Sequence, residues 1–479
     1  MAPVTEKLGT KTVRGVAWAL TSTAASKLIW LIGIILLARL LIPEQFGVVA
    51  IALVFITYVE TLGDLGANAA LIYWQSRERD VAQITFVINV LMGLIWFTLT
   101  WFISASVAIF FGNPQVESIL QVLAISFVIK GFSNTHDALC QRALDFRTRT
   151  IPEIVLATTK VVIGVSMAIT GYGAWSLVGG HLAGLLLWAI TLWLLVPWRP
   201  RACFPADLLM PVLKYGKGII AVNVLAAIAH HLDLLVVGRM LGATALGVYQ
   251  LATKLPELTI ILLAWVVSRV LFPAFSRLNA TGADMRNAYL RSLQYLSLFT
   301  LPGSVALFVL ADPLIMVMFG EQWRDAIPVL QWLAVYAGIR SLGTQVGDVL
   351  KATGQPHVLT RLGIVKVAIL IPVLLYAGNI SIVAVAISMS VAALINTAIN
   401  ILVICHILNI GALSVIKSVR SGFMAASVLA TVMFAWSFID CCESSLLEFL
   451  VRGGPILVTS IFLMMYLEPT LIQIGRAHV

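Results

Sequence analysis

Charged residues are scarce in this chain of 479 residues, making up 11% of it, whereas 60% of the residues are hydrophobic. Soluble domains carry roughly a quarter charged residues, so the composition excludes an ordinary soluble protein. Cysteine is also scarce, with five residues and no C-x-x-C spacing, so the sequence predicts neither a metal site nor a disulfide framework. No connection is long enough for a catalytic domain. We therefore expect a protein that is not an enzyme and has no cofactor.

What the chain does contain is a series of long apolar stretches from one end to the other. A spanning helix needs about 20 largely apolar residues. We predict an all-α polytopic membrane protein with 14 transmembrane helices: two six-helix lobes plus two C-terminal helices. The predicted spans are 15–38, 47–72, 82–111, 117–140, 152–171, 174–197, 212–238, 246–275, 289–311, 326–350, 357–377, 380–405, 416–438 and 447–468.

Lysine and arginine concentrate in every other predicted connection, beginning with Lys7, Lys11 and Arg14 before the first span. Positively charged short loops stay in the cytoplasm, so we predict that both termini are cytoplasmic. The net charge of +9 then reflects topology and attraction to anionic lipid rather than nucleic-acid binding. The last seven residues, QIGRAHV (473–479), match the translation of a sequencing-adapter read, and we expect them not to be protein-coding.

An internal repeat relates the two halves of the chain at an offset of 200 residues. Arg39 precedes Gly47-Val48 as Arg239 precedes Gly247-Val248. Further along, Lys130 precedes Arg142-Ala143 as Arg340 precedes Lys351-Ala352, allowing one gap. Six spans per repeat is an even number, so both halves share one orientation. Parallel repeats of this kind indicate transporters whose substrate site lies near the bilayer midplane. We predict an N-lobe at 1–200, a C-lobe at 205–407, and two further helices at 412–472.

The chain also resembles the polysaccharide transporter branch of the multidrug/oligosaccharidyl-lipid/polysaccharide flippase superfamily, the Wzx-type flippases. The resemblance rests on the order and spacing of LARLLIPEQFG (37–47), GYGAWSLV (171–178), WRP (198–200), GRMLGATALGVYQLA (238–252), LFPAFSRL (271–278), FGEQW (319–323) and KATGQP (351–356). It implies 14 helices, two pseudo-symmetric lobes and a central cavity. It also implies an oligosaccharide on polyprenyl pyrophosphate as substrate, moved from the cytoplasmic to the outer leaflet of a bacterial inner membrane.

Several cations fall within or near the predicted spans, where a charge costs about 2.5–3.5 kcal/mol on insertion scales. A pyrophosphate would supply compensating negative charge through charge-assisted hydrogen bonds. Lys366 and Arg269 could equally snorkel to an interface. The candidate substrate-binding residues are Lys27, Lys130, Lys160, Lys254, Arg340 and Arg269.

Acidic residues in the spans have two open interpretations. They could pair internally with lysine, or they could take up a coupling proton or sodium ion. The candidates are Glu60, Asp64, Asp233 and Glu257.

The sequence leaves several functions open. Polyprenyl-linked oligosaccharide transport by alternating access is one, with glycan polymerases and glycosyltransferases as expected partners beside the lipid bilayer. An ion-coupled drug or metabolite antiporter of the same fold is another, although exporters of organic cations favour acidic sites. A lipid II flippase would suit a basic site equally well. A membrane glycan polymerase or acyltransferase would need a catalytic constellation, which the sequence does not contain.

Overall fold

The computed structural model describes residues 26–74, 76–143, 145–201, 204–281 and 284–437, and its regular secondary structure within these ranges is entirely helical. The all-α prediction is therefore confirmed. The predicted span 447–468, the adapter-like tail 473–479 and residues 15–25 of the first predicted span lie outside the described residues.

The helices follow one another with short connections, and seventeen labels cover them. They are α1 (26–40), α2 (Pro43–Leu62), α3 (Ala67–Tyr73), α4 (Glu78–Phe111), α5 (Gln115–Leu123), α6 (Ile125–Arg142), α7 (Phe146–Ile169), α8 (Ala174–Leu195), α9 (Leu209–Met240), α10 (Gly242–Pro256), α11 (Leu262–Thr281), α12 (Met285–Val309), α13 (Ala311–Met318), α14 (Ala326–Ala352), α15 (Pro356–Gly378), α16 (Ile382–Leu408) and α17 (Ala412–Ser437). A π-helical turn, Glu257–Ile261, joins α10 to α11 immediately after Pro256.

Ten of the described helices, with α5–α6 and α10–α11 each counted as one, are long and apolar enough to cross a membrane. The count rises to eleven if the bent pair Ala206–Gly218 and Asn223–Met240 forms one span. The predicted number of 14 is not confirmed. One reason is visible in α14, which has 27 residues but carries Arg340, Asp348 and Lys351, and so is less apolar than its neighbours.

Local sequence signals explain where several helices begin and end. Pro43 occupies the first turn of α2, where its missing N–H costs nothing. The side-chain oxygen of Asp145 accepts a hydrogen bond from Thr148 N (3.1 Å) at the start of α7. Ser381 accepts one from Ala384 N (3.1 Å) at the start of α16. Such caps satisfy backbone donors that have no partner within the helix.

The described residues group into two compact units, one that ends at Gly247 and one that begins at Val248. This packing boundary falls later than the lobe boundary that the repeat predicts between 200 and 205, which stays a prediction. In the first unit, α7 packs along α8, α4 along α6, and α2 along α9. In the second, α12 packs along α17 and α14 along α16. Buried side chains such as Tyr289 and Leu293 of α12 form the second unit's core.

The two glycines of the internal repeat meet in the first unit. A Cβ added at Gly47 would collide with the carbonyl oxygen of Ala243, and one added at Gly247 would collide with that of Pro43. The collisions are reciprocal, since Pro43 and Gly47 correspond to Ala243 and Gly247 at the repeat offset of 200 residues. Helices α2 and α10 therefore cross backbone against backbone, which only small residues allow.

Candidate functional site

A cavity of about 350 Å³ lies within the first unit, between α2, α3, α4, α6 and α8. Its lining combines charged groups, amides and aromatic rings. The lining residues include Glu60, Asp64, Asn68, Asn89, Trp96, Lys130, Asn134 and Trp188. Three of the residues predicted for substrate binding or coupling therefore line one cavity.

Lys130 on α6 forms an ion pair with Glu60 on α2 in the wall of this cavity. The ammonium Nζ donates to Glu60 Oε1 at 2.6 Å, and each side chain is 26% exposed. For Glu60, the structure thus shows the internal pairing that the sequence left open. The pair neutralises Lys130 from within the protein, so Lys130 offers much less attraction to an anionic ligand than its sequence position predicts.

Asp64 accepts backbone hydrogen bonds in the turn that divides the predicted span 47–72 into α2 and α3. Its Oδ1 accepts from Gly66 N (3.0 Å) and its Oδ2 from Asn68 N (3.1 Å). Gly66 has a positive φ of 75° and packs against the backbone of Gly216, so both geometry and space require glycine there. The carboxylate of Asp64 is therefore a helix cap for α3.

We expect Asp64→Ala to lower the free energy of unfolding by about 0.5–2 kcal/mol, the range found when a capping side chain is removed. Asp64→Asn retains one side-chain acceptor and should lose less. Thermal unfolding of the purified variants in detergent measures both changes. Equal stability of the alanine variant and the wild-type protein would contradict the capping role.

The other predicted residues of the first unit lie apart from the ion pair. Lys27 is exposed on α1. Lys160, on α7, lies at the crossing with α8, where a Cβ added at Gly180 would stand 2.6 Å from the Lys160 carbonyl oxygen. His181 of α8 is close enough to both Lys160 and Lys130 to interact with them electrostatically. Asp233 is buried on α9, near Tyr58.

Of the cations predicted in the second unit, Lys254 is paired with an acid and Arg269 is exposed. Lys254 Nζ lies 3.4 Å from Glu257 Oε2, so Glu257 also has an internal partner. Arg269 is exposed on α11. The neighbouring Ser268 hydroxyl donates to the buried carboxylate of Asp348 on α14. In the described part of the chain, no group of three or more His, Cys, Asp or Glu residues could hold a metal ion.

A second cavity, of about 150 Å³, lies within the second unit between α14, α15 and α16. Arg340 and Lys366 bring two positive charges to it, and no acidic residue is found among the described residues that line it. The polar lining is completed by Tyr336, Thr344, Asn396, Thr397 and Asn400. This lining consists of cations, hydroxyls and amides, which are the groups that donate hydrogen bonds to an anion.

Arg340 is held in this cavity by an aromatic neighbour rather than by an acid. Its guanidinium donates to the hydroxyl of Tyr336 (3.0 Å) and lies 5.7 Å from the centroid of that ring. It makes no ion pair with any described residue. The repeat therefore relates two cations, Lys130 and Arg340, whose surroundings differ: the first faces a carboxylate and the second does not.

A further polar cavity, of about 880 Å³, lies among loops and helix ends of the first unit. Its lining contains both signs of charge, including Glu78, Arg79, Asp145 and Arg201. The pKa of Asp145 is below its usual value because the Thr148 hydroxyl and backbone N–H donate to the carboxylate. Because acidic and basic residues are balanced in its lining and Asp145 caps α7, this cavity is a weaker candidate site.

Sequence reasoning from charge alone missed the uncharged residues of both cavities. A signal was present in each case. Asn89 interrupts the apolar run of α4, and Asn396 and Asn400 lie one turn apart on α16 in an otherwise apolar stretch. Trp96 and Trp188 gave no comparable signal, because tryptophan is common in membrane helices near their interfaces.

Comparison with solved structures shows that the fold is that of helical transporters and flippases. The structure matches a lipid II flippase MurJ in an inward closed conformation with a TM-score of 0.80, 15% identity, and coverage of 95% of this chain and 99% of that chain. It also matches an inward-facing multidrug resistance MATE family transporter of the MOP superfamily, with a TM-score of 0.60, 16% identity, and coverage of 82% of this chain and 94% of that chain.

Sequence comparison is more specific. The chain belongs to the polysaccharide biosynthesis protein family, whose model matches residues 36–328. It is 26% identical to the lipopolysaccharide biosynthesis protein WzxC of Escherichia coli, over 78% of this chain and 76% of that one. It is also 26% identical to the succinoglycan biosynthesis transport protein ExoT of Rhizobium meliloti, over 74% and 72%. The resemblance to the Wzx-type flippases is confirmed, and the chain is a multi-pass membrane protein of bacterial type.

Proposed function

We propose that this protein is a flippase that moves polyprenyl-pyrophosphate-linked oligosaccharide units from the cytoplasmic to the outer leaflet by alternating access. Its product would feed cell-surface polysaccharide synthesis by glycan polymerases and glycosyltransferases of the same membrane. Both termini would be cytoplasmic, and the protein would catalyse no covalent step.

The observation that carries the proposal is the positive cavity around Arg340. A cation held at membrane depth without a carboxylate is costly, and an anionic ligand removes that cost. A guanidinium binds phosphate through two parallel hydrogen bonds, and Lys366 and the amides of Asn396 and Asn400 supply further donors. We assign the pyrophosphate to this cavity.

The direction of transport also agrees with the charge of the substrate. An inside-negative membrane potential favours outward movement of an anion by about 2.3 kcal/mol per charge per 100 mV. A flippase of this kind can therefore run on the potential alone. Coupling to protons or sodium ions is not needed on energetic grounds.

The described cavities argue against the antiporter alternative. An exporter of organic cations needs available carboxylates, but Glu60 is paired with Lys130 and Asp64 caps a helix. A lipid II flippase would use the same pyrophosphate contacts, so it differs from the proposal only in the group that the pyrophosphate carries. The likeness to MurJ supports the fold and does not favour either sugar.

The test is the thermal stability of the purified protein with three kinds of ligand: undecaprenyl pyrophosphate, its saccharide-linked forms including lipid II, and a panel of cationic drugs. A ligand at a hundred times its dissociation constant adds about 2.7 kcal/mol. We expect stabilisation of this size from the lipids that carry pyrophosphate and no stabilisation from the drugs. Saccharide-linked lipids other than lipid II should stabilise most.

Arg340→Gln should lose most of the stabilisation by the lipids, because glutamine has no charge and no fork of donors. The matched control is Arg324→Gln, since Arg324 is 69% exposed, outside the cavity and paired with Glu321. Stabilisation by drugs alone, or full stabilisation by the lipids in Arg340→Gln, would overturn the proposal. Preference for lipid II over every other saccharide would move the protein to the peptidoglycan alternative.

A further inference from the structure

The cavity of the first unit has a chemistry that the pyrophosphate proposal does not use. Two indole rings, Trp96 and Trp188, line it together with the amides of Asn89 and Asn134. Aromatic rings beside a few well-placed polar groups are typical of small-molecule sites. Its volume of about 350 Å³ falls at the lower end of the range for such sites, about 300–1,000 Å³.

The charged residues that line this cavity disfavour a phosphate ligand. The positive charge of Lys130 is matched by Glu60 at 2.6 Å, and Asp64 adds a further carboxylate. An anion entering here would meet two carboxylates and one lysine that is already paired. A neutral ligand with hydroxyl groups meets no such repulsion, because carboxylates and amides accept hydrogen bonds from hydroxyls.

Two polar atoms in the cavity wall lack hydrogen-bond partners. Asn89 is 3% exposed; its Nδ2 donates to Asn68 Oδ1 and to Thr135 Oγ1, both at 3.0 Å, but its Oδ1 has no partner among the described residues. The Trp96 Nε1–H is buried and equally without a partner in that part of the chain. Buried polar groups are nearly always satisfied. Both atoms are buried, so a ligand in the cavity reaches them only if the side chains of Asn89 and Trp96 rotate.

We infer that this cavity is a carbohydrate subsite that holds one uncharged sugar ring of the substrate. A sugar ring offers C–H groups to the flat face of an indole and hydroxyls to amides and carboxylates. This inference rests on the proposed function and divides the substrate between two sites. The second unit's positive cavity takes the pyrophosphate, and the first unit's cavity, with its two carboxylates and one lysine, takes a sugar.

The test compares dissociation constants for bare undecaprenyl pyrophosphate and for its glucosyl, galactosyl and N-acetylglucosaminyl forms, from thermal-shift titrations of the full chain. We expect at least one sugar-bearing form to bind about tenfold tighter than the bare lipid, which corresponds to about 1.4 kcal/mol. In Trp188→Leu and in Asn134→Ala, this ratio should fall to about one, with binding of the bare lipid unchanged. Trp265→Leu is the matched control, since Trp265 is an exposed residue of α11 outside the cavity.

The sugar subsite would be overturned if both cavity variants still bound a sugar-bearing lipid about tenfold tighter than the bare lipid. It would also be overturned if the wild-type protein bound no sugar-bearing lipid more tightly than the bare lipid. Asn134→Ala removes only a partly exposed amide, so it keeps the test decisive if Trp188→Leu does not fold. Different results would contradict the proposed function: either the wild-type protein does not bind the bare lipid, or Arg340→Gln binds it as well as the wild-type protein does. If the bare lipid binds through Arg340 but no sugar-bearing lipid binds more tightly than it, only the sugar subsite is excluded and the proposed function stands.

Discussion

Gly47→Ala is expected to destabilise the protein by about 1–3 kcal/mol or more, the cost of overpacking a close contact. The methyl group would meet the carbonyl oxygen of Ala243, which is backbone and cannot rotate away. Helices α2 and α10 would have to separate. Thermal unfolding of the purified variant in detergent measures the loss.

The reciprocal geometry sharpens this prediction. Gly247→Ala should cost a similar amount, because its methyl group would meet the carbonyl oxygen of Pro43. The double variant should cost less than the sum, since the first substitution already separates the crossing that the second would strain. Strict additivity would indicate two independent sites and contradict a shared crossing.

The matched control is Gly218→Ala on α9, where nothing lies within 4 Å of an added Cβ. Because alanine favours a helix over glycine by about 0.5–1 kcal/mol, this variant should be as stable as the wild-type protein or slightly more stable. A similar loss in Gly218→Ala would mean that glycine flexibility, rather than close approach, explains the effect at Gly47.

Glu60→Gln is expected to lower the free energy of unfolding by about 1–3 kcal/mol, the cost of leaving a buried polar group without its partner. The variant leaves the ammonium of Lys130 without its carboxylate while both side chains are only 26% exposed. Lys130→Met leaves the carboxylate of Glu60 unpaired in turn, so we expect a loss in the same range. Thermal unfolding of the two variants measures both losses.

Two further variants test whether the pair itself is responsible. Exchanging the charges in Glu60→Lys with Lys130→Glu should recover part of the stability lost in each single exchange. Glu321→Gln is the matched control: the ion pair of Glu321 with Arg324 has a similar distance, 2.8 Å, but its side chains are 64% and 69% exposed. Exposed pairs contribute little, so this control should change stability hardly at all. A loss as large as that of Glu60→Gln would show that burial is not the cause.

Much of the architecture could be predicted from the sequence, because membrane insertion depends on local composition. Long apolar stretches with short connections determine helices and exclude exposed strands, since every backbone group in lipid needs a partner. The repeat around Gly47 and Gly247 was also visible in the sequence, because equivalent places in two sequence repeats require similar residues. The number of spans was less certain where an apolar stretch carries charge, as α14 does at Arg340 and Asp348.

The breaks within predicted spans were harder to foresee. The run 47–72 reads as one apolar stretch, yet it is divided by a turn in which Leu65 and Gly66 have positive φ. Asp64 stabilises that turn by accepting two backbone hydrogen bonds. The sequence shows an acid at this position. Whether that acid caps a helix or couples to an ion depends on which backbone N–H groups lie within hydrogen-bond distance.

The sequence by itself determined that this protein is a helical membrane protein, because composition and periodicity act locally along the chain, and it predicted two related halves with cations at equivalent positions. Only the tertiary structure decided what those cations face. Lys130 meets Glu60, which is 70 residues away in the chain, whereas Arg340 meets a tyrosine one turn away and a cavity lined by amides. The energy of a charge depends on its neighbours in space, and in a helical bundle those neighbours come from other helices.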